Sequence, residues 1–420
     1  NNRQTTFGAI LLVVLIAMAL VGVTWANLRY AYSSPGGNDF LPRWLGARLF
    51  MLRGQSPYSS ETTREIQQMI FGRPAQGDED QSLYVYPFHS FLIFAPYAAI
   101  PNYPFARALW MTTLEVAVVL LTVMGISLSR WRVPGWLFVA IFLFGALWYH
   151  AVRPVILGNV GVLVAFYITA ALLAIRSEQD LLAGALLALA TIKPQMVVLL
   201  IAFICLWAFS HRRWALIWTF FSSLGILLAL SLFLLPGWLM ENLRQVVAYA
   251  SYTLPGTPGS IFAQWFPGIG RQLGLAFTVF AAGILLWEWR AALGKEYPWF
   301  LWTAYLTLVL TNLIGIRTAT ENYLAMYPAL ILVLAIWDQR WGRLGRLMII
   351  LGLLVLSLGL WWLFLSTLQP AQGGQPTQHL IMFFPLPFFL LMGLYWVRWW
   401  ATRPPRPLLE AIKSSPDFEL

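Results

Sequence analysis

The chain has 420 residues, of which 59% are hydrophobic and only 10% charged, and its mean hydropathy is +0.69. So little charge excludes a water-soluble globular protein, because most of the backbone must satisfy its hydrogen bonds inside spanning helices. The net charge of +10 sits scattered at the ends of apolar runs, where it orients spans, and implies no nucleic-acid partner.

About 12 apolar stretches approach the roughly 20 residues that a bilayer core requires. In chain order they run Phe7 to Leu28, Tyr86 to Ile100, Phe105 to Leu128, Gly135 to His150, Gly158 to Ile175, Leu181 to Ala208, Trp214 to Leu235, Gly274 to Trp289, Trp299 to Ile314, Tyr323 to Trp337, Leu347 to Leu368 and Leu380 to Val397. The expected fold is all-α: a polytopic membrane bundle over 1–400, followed by a Pro-rich basic cytoplasmic tail over 401–420. The first stretch is too long for a removed signal peptide and is expected to stay as an anchor. A cytoplasmic N-terminus puts the basic turns Ser210 to Arg213, Arg290 to Lys295, Asp338 to Arg346 and Arg398 to Arg406 inside. Ser129-Arg130-Trp131-Arg132 then falls on the outer side, against the rule. The lone Cys205 has no partner for a disulfide and leaves the redox compartment open.

The first outer loop, about 29–85, is too long for a connector and carries Asp39, Glu61, Glu65, Asp78, Glu79 and Asp80 among the chain's 17 acids. Leu41, Trp44, Leu45, Leu49 and Leu52 recur at helical spacing, which predicts an interfacial helix with Asp39, Arg43 and Arg53 pointing off its apolar face. A second short helix is expected over Glu61 to Ile70. Asp39 has two readings: an N-terminal helix cap, or a general base that takes a proton from an attacking hydroxyl. Asp78-Glu79-Asp80 reads as a solvated acidic turn, and no obligatory metal is expected, since the loop acids are not spaced as a ligand set.

Tyr84-Val85-Tyr86-Pro87-Phe88-His89 brings two tyrosines and His89 back to the membrane beside this loop; it is either an aromatic belt or a site wall. Glu115 lies inside the third stretch with no evident partner. Arg153 and Gly158-Asn159-Val160-Gly161 mark a break where glycine allows close approach and Asn159 offers a donor and an acceptor. Lys193, in Thr191-Ile192-Lys193-Pro194-Gln195, is the only lysine within an apolar stretch, and a cation there faces a cavity or an anion. The alternative is a span drawn too long, with Lys193 at an interface. Gly315 to Tyr323 is a polar turn in which Arg317 suits a phosphate and Glu321 or Asn322 suits hydroxyls.

Asp39-Phe40 with Trp44, Ala47-Arg48, Gly54 and Pro57-Tyr58, then Tyr84-Val85-Tyr86-Pro87-Phe88, Gly158-Asn159, Gly184, Lys193-Pro194-Gln195 and Arg212-Arg213-Trp214, resembles glycosyltransferase family 87 of the GT-C superfamily. The resemblance covers about the first half of the chain in motif order. Family members often carry Gln at the place of Asn159 and a second Pro at that of Phe88. It implies a GT-C helical bundle with juxtamembrane helices in the first loop, in the inner (plasma) membrane, with Asp39 as catalytic base on the extracytoplasmic side. It further implies inverting transfer of a hexose, mannose first, from a polyprenyl-phosphate sugar donor to a lipid or glycan acceptor. Arg43, Tyr58, Tyr84, Tyr86, His89, Asn159, Lys193, Gln195, Arg317, Glu321, Asn322 and Tyr323 are the expected substrate-binding residues, and membrane lipids the other partners. The rival expectation is a transporter or lipid flippase, which broken helices and a buried lysine would also suit.

Overall fold

The computed structural model describes residues 2–34, 36–77, 79–253, 256–368 and 378–402. Asp78, most of the loop expected at Gln369 to Gln378 and the basic tail beyond Thr402 lie outside them. Among the described residues there is no strand, and the all-helical architecture is as expected. The helices are α1 (Asn2–Ser33), α2 (Leu41–Arg53), α3 (Ser60–Phe71), α4 (Phe91–Ala98), α5 (Tyr103–Leu128), α6 (Gly135–Leu147), α7 (Tyr149–Leu157), α8 (Gly161–Arg176), α9 (Asp180–Ala190), α10 (Pro194–Ser210), α11 (Trp214–Leu234), α12 (Trp238–Tyr252), α13 (Pro258–Trp265), α14 (Gly270–Ala292), α15 (Tyr297–Thr311), α16 (Tyr327–Trp341), α17 (Arg343–Ser366), α18 (Pro385–Trp396) and α19 (Arg398–Thr402). Tight 3-10 turns at Phe88–Ser90, Thr320–Met326 and Leu380–Phe383 lead into α4, α16 and α18.

Among the described residues six helices are long and apolar enough to cross a membrane, or up to seven if the pair α6 and α7, bent by 42°, is one span. The other apolar pieces, among them α8, α9 and α10, are shorter. The residues that begin and end the helices explain the lengths. Ser59 caps α3 by accepting from Thr62 N–H, and Asn102 caps α5 by accepting from Phe105 N–H. Trp148 is extended and separates α6 from α7. Pro194 has no N–H to continue a helix and holds Lys193 off helical geometry, so the stretch from Leu181 to Ala208 is two helices rather than one span. Lys193 therefore stands in a break, not in mid-helix.

Hydrogen bonds sort the turns into two ends. At one end Arg176 donates to the Ser127 carbonyl, Arg213 pairs with Asp180, Gly294 N–H donates to Ser210, and Tyr297 donates to the Leu172 carbonyl. There too Trp131 and Arg346 both bond Asp338. The turn 129–132 thus shares an end with the other basic turns, which corrects its expected placement opposite them. The cause is the stretch from Tyr86 to Ile100, which makes no full-length crossing. Its α4 spans eight residues, or about 12 Å at ~1.5 Å per residue, and is pinned to the first loop by Trp44 on the Tyr97 carbonyl and Arg48 on the Ala98 carbonyl. Asn102 bonds Tyr32 and Tyr103 bonds the Gly36 carbonyl, so α5 starts at the end where α1 finishes.

The core lies around α15 and α16, whose side chains are buried almost throughout. α1 is its opposite, largely exposed and held against α5, where Asn27 donates 2.7 Å to Glu115 and so supplies the partner that the sequence did not reveal.

Candidate active site

The end opposite the basic turns collects the polar side chains. α2 forms where a helix was expected, starting around Pro42 and stopping at Gly54, which takes the left-handed conformation. Its N-terminus has no side-chain cap, so Asp39 does not cap it. Instead the Asp39 backbone N–H donates 3.0 Å to the Leu157 carbonyl, and its Oδ2 accepts from Asn159 Nδ2 at 2.8 Å. The turn that receives Asp39 needs its glycine. Gly158 has φ of +73°, and a Cβ there would meet the Phe40 Cβ at 2.5 Å, while Trp110 Nε1 holds the Gly158 carbonyl at 2.8 Å.

Lys193 is only 4% exposed, and a buried ammonium costs several kcal/mol unless its donors are met. Two of its three N–H groups are met: Nζ donates to Asn159 Oδ1 at 2.7 Å and to Asn322 Oδ1 at 2.8 Å, and it lies 5.5 Å from the centre of the Tyr86 ring. Asn322 in turn donates to Thr318. Arg153, next in the cluster, donates through Nε to Glu321 at 2.8 Å and covers the Phe364 ring. Glu321, Asn322, Asn159 and Lys193 come from three separate parts of the chain, and the break at 191–193, the turn at 157–161 and the 3-10 turn before α16 bring them together.

Arg43 departs from the expectation that it points off the helix's apolar face. It is 5% exposed, its guanidinium lies 4.2 Å over the Tyr86 ring, and its Nε has no hydrogen-bond partner among the described residues. The charges of Asp39 and Asp80 and the phenols of Tyr86 and Tyr249 surround it. A buried cation with an unpaired Nε–H, among acids and phenols, is poised for an anion.

The wall is built by a strap, 84–86, in which Val85 takes a left-handed φ of +47°. α12 clamps this strap. Asn242 donates to the Val85 and Tyr86 carbonyls, Gln245 accepts from Val85 N–H and donates to the Tyr58 carbonyl, and Tyr58 donates 2.6 Å to the Tyr86 carbonyl. Tyr84 is fully buried, with its hydroxyl on Ser90, and Gly46 leaves room for its ring. His89 touches Thr191 at 3.3 Å through Nε2. Tyr58 and Tyr84 therefore support the wall, and of the two strap tyrosines Tyr86 faces the cations.

Three expected residues do not join this cluster. Arg317 is exposed and donates to the Ala250 carbonyl. Tyr323 is fully buried, with its hydroxyl on the Phe383 carbonyl. Gln195, half-buried in the first turn of α10, takes no part in the network. Three residues that were not expected as binders enter it: Arg153, Tyr249 and Asp80. Asp80 belongs to the exposed rim, yet its carboxyl is crowded. Loss of hydration first, and then the Asp39 charge, raise its pKa, against the Ser82 N–H and Arg43, which lower it. Its neighbour Glu79 is committed elsewhere, held by two 2.7 Å bonds from Arg73 and one from Gln76 N–H, which lower its pKa to about 2.

A sequence model of glycosyltransferase family 87 matches residues 84–316. The match takes in Tyr86, Asn159 and Lys193, while Asp39 and Glu321 lie outside it and reach the same site through the contacts above. No curated protein and no solved structure matches the chain.

Proposed function

The chain belongs to glycosyltransferase family 87, is a membrane protein with at least six helices able to cross a bilayer, and from that premise we propose that Asp39 is the general base of an inverting sugar transfer. The acceptor hydroxyl gives its proton to Asp39 as its oxygen bonds the anomeric carbon, and the bond from that carbon to the lipid phosphate oxygen breaks. The donor in this reading is a polyprenyl-phosphate hexose, mannose first, and the acceptor is a lipid or glycan hydroxyl. The leaving phosphate gains negative charge in the transition state, and fixed cations aimed at it lower the barrier. Arg43, with its Nε–H unpaired, is the residue assigned to it, and Lys193 and Arg153 add positive potential from behind their own partners. These side chains carry the charge stabilisation without an obligatory metal.

The observation that carries this reading is the Asp39 carboxylate, held at 2.8 Å by Asn159 within a cluster of three buried or half-buried cations, in a chain of this family. Collection of the basic turns at the other end supports an extracytoplasmic site, since positive turns stay inside. The test is transfer from a labelled polyprenyl-phosphate hexose to a membrane acceptor in proteoliposomes. The wild type transfers sugar and Asp39→Ala does not. Uptake of solute or lipid without sugar transfer would favour the transporter reading instead.

A further inference from the structure

Asn159 fixes three neighbours with its side-chain amide. Its Oδ1 accepts from Lys193 Nζ at 2.7 Å and from Gly161 N–H at 2.8 Å, and its Nδ2 donates 2.8 Å to Asp39 Oδ2. This settles which way the amide faces. Turned over, its NH2 would oppose two donors and its carbonyl would oppose a carboxylate, losing all three bonds and adding repulsion. The side chain is 4% exposed, so water would not restore them.

We infer that Asn159 is the positioning residue of Asp39, with Lys193 locking the amide that aims it. This rests on Asp39 acting as the base. The turn 157–161 grips Asp39 at two points, the backbone N–H through the Leu157 carbonyl and the carboxylate through Asn159. Oδ2 is thereby occupied, and no hydrogen bond reaches Oδ1 among the described residues, so one oxygen is held and the other is presented. Lys193 acts through the amide: its charge sits on Asn159 and Asn322, and two of its donors are spent there rather than on substrate.

A positioning role and a substrate-binding role predict different kinetics. Asn159→Leu removes the donor but keeps the volume close, and is expected to lower kcat by about 10–100-fold, the usual effect of losing the partner that orients a reacting group, with the donor and acceptor KM values within about twofold of wild type. Its acid limb in the kcat pH profile moves to higher pH, because the lost hydrogen bond favoured the ionised carboxylate. Asn159→Asp moves the limb further, since it also adds a negative charge beside Asp39, and being nearly isosteric it serves where the Leu variant fails to fold. Unchanged kcat and pH profile in a folded variant, or a KM rise at constant kcat, would overturn the assignment. Asp39→Asn with full activity is a different failure: it would remove the base itself.

Discussion

Arg43 and Arg317 show how far a residue's role depends on what surrounds it. Both are arginines beside polar turns, and of the two the sequence reads Arg317 as the one that suits a phosphate. In the structure Arg317 spends its guanidinium on the Ala250 carbonyl in the open, whereas Arg43 is buried among Asp39, Tyr86 and Asp80. We expect Arg43→Ala to lower kcat/KM for a polyprenyl-phosphate donor by about 10²–10³-fold, the scale of losing one fixed donor to a developing charge, and Arg317→Ala to stay within about threefold. Steady-state kinetics of both variants check this, and the reverse order would show that the phosphate sits at the other turn. Lys193 was legible because a lysine among apolar residues needs a reason. Asp39 was legible only as a choice between cap and base, because helix capping and carboxylate positioning draw on the same local sequence. The Asn159 contact, 120 residues away along the chain, removes the cap from that choice.

At the scale of elements, the first loop was readable in its helices and not in its strap. Apolar spacing marks α2, and Ser59 and Gly72 bracket α3 at both ends. Nothing local announces that 84–86 will be clamped by α12, since Asn242 and Gln245 are about 160 residues away and look like ordinary polar positions on an amphipathic helix. The acidic turn before the strap also divides in a way its sequence conceals. Glu79 is tied to Arg73, while Asp80 leans toward the site. Because the folded pKa of Glu79 is lowered to about 2, its contribution to loop stability is full above the ordinary glutamate range and fades as pH falls through that range toward 2. The protection of residues 73–82 against hydrogen exchange, taken relative to the intrinsic amide rate at each pH, is therefore expected to fall from pH 6 to pH 3 in the wild type. In Glu79→Gln that protection should already be low at pH 6 and change less on acidification. Equal protection in both proteins at pH 6 would show that the Arg73 pair does not hold the turn.

For the whole molecule, charge sorted the two ends of the bundle better than hydropathy located the spans. Reading Tyr86 to Ile100 as a crossing put 129–132 opposite the other basic turns, an error that comes from apolarity, which does not distinguish a span from a short helix buried by its neighbours; within Leu181 to Ala208 the break was legible in the sequence, because Pro194 interrupts a helix. Because Cys205 is the chain's only cysteine, a Cys205→Ala background allows a direct check. Glu61→Cys is expected to react with a membrane-impermeant maleimide in intact cells, and Arg130→Cys and Arg343→Cys only after permeabilisation. Labelling of Arg130→Cys alongside Glu61→Cys would return that turn to the outer side.

The catalytic claim rests on a single carboxylate, and one comparison isolates it. Asp39→Asn keeps the shape and removes the base, so in proteoliposomes charged with labelled polyprenyl-phosphate hexose its rate of transfer is expected to fall by about 10²–10⁴-fold while binding of the donor persists. Transfer by Asp39→Asn at the wild-type rate would contradict the account.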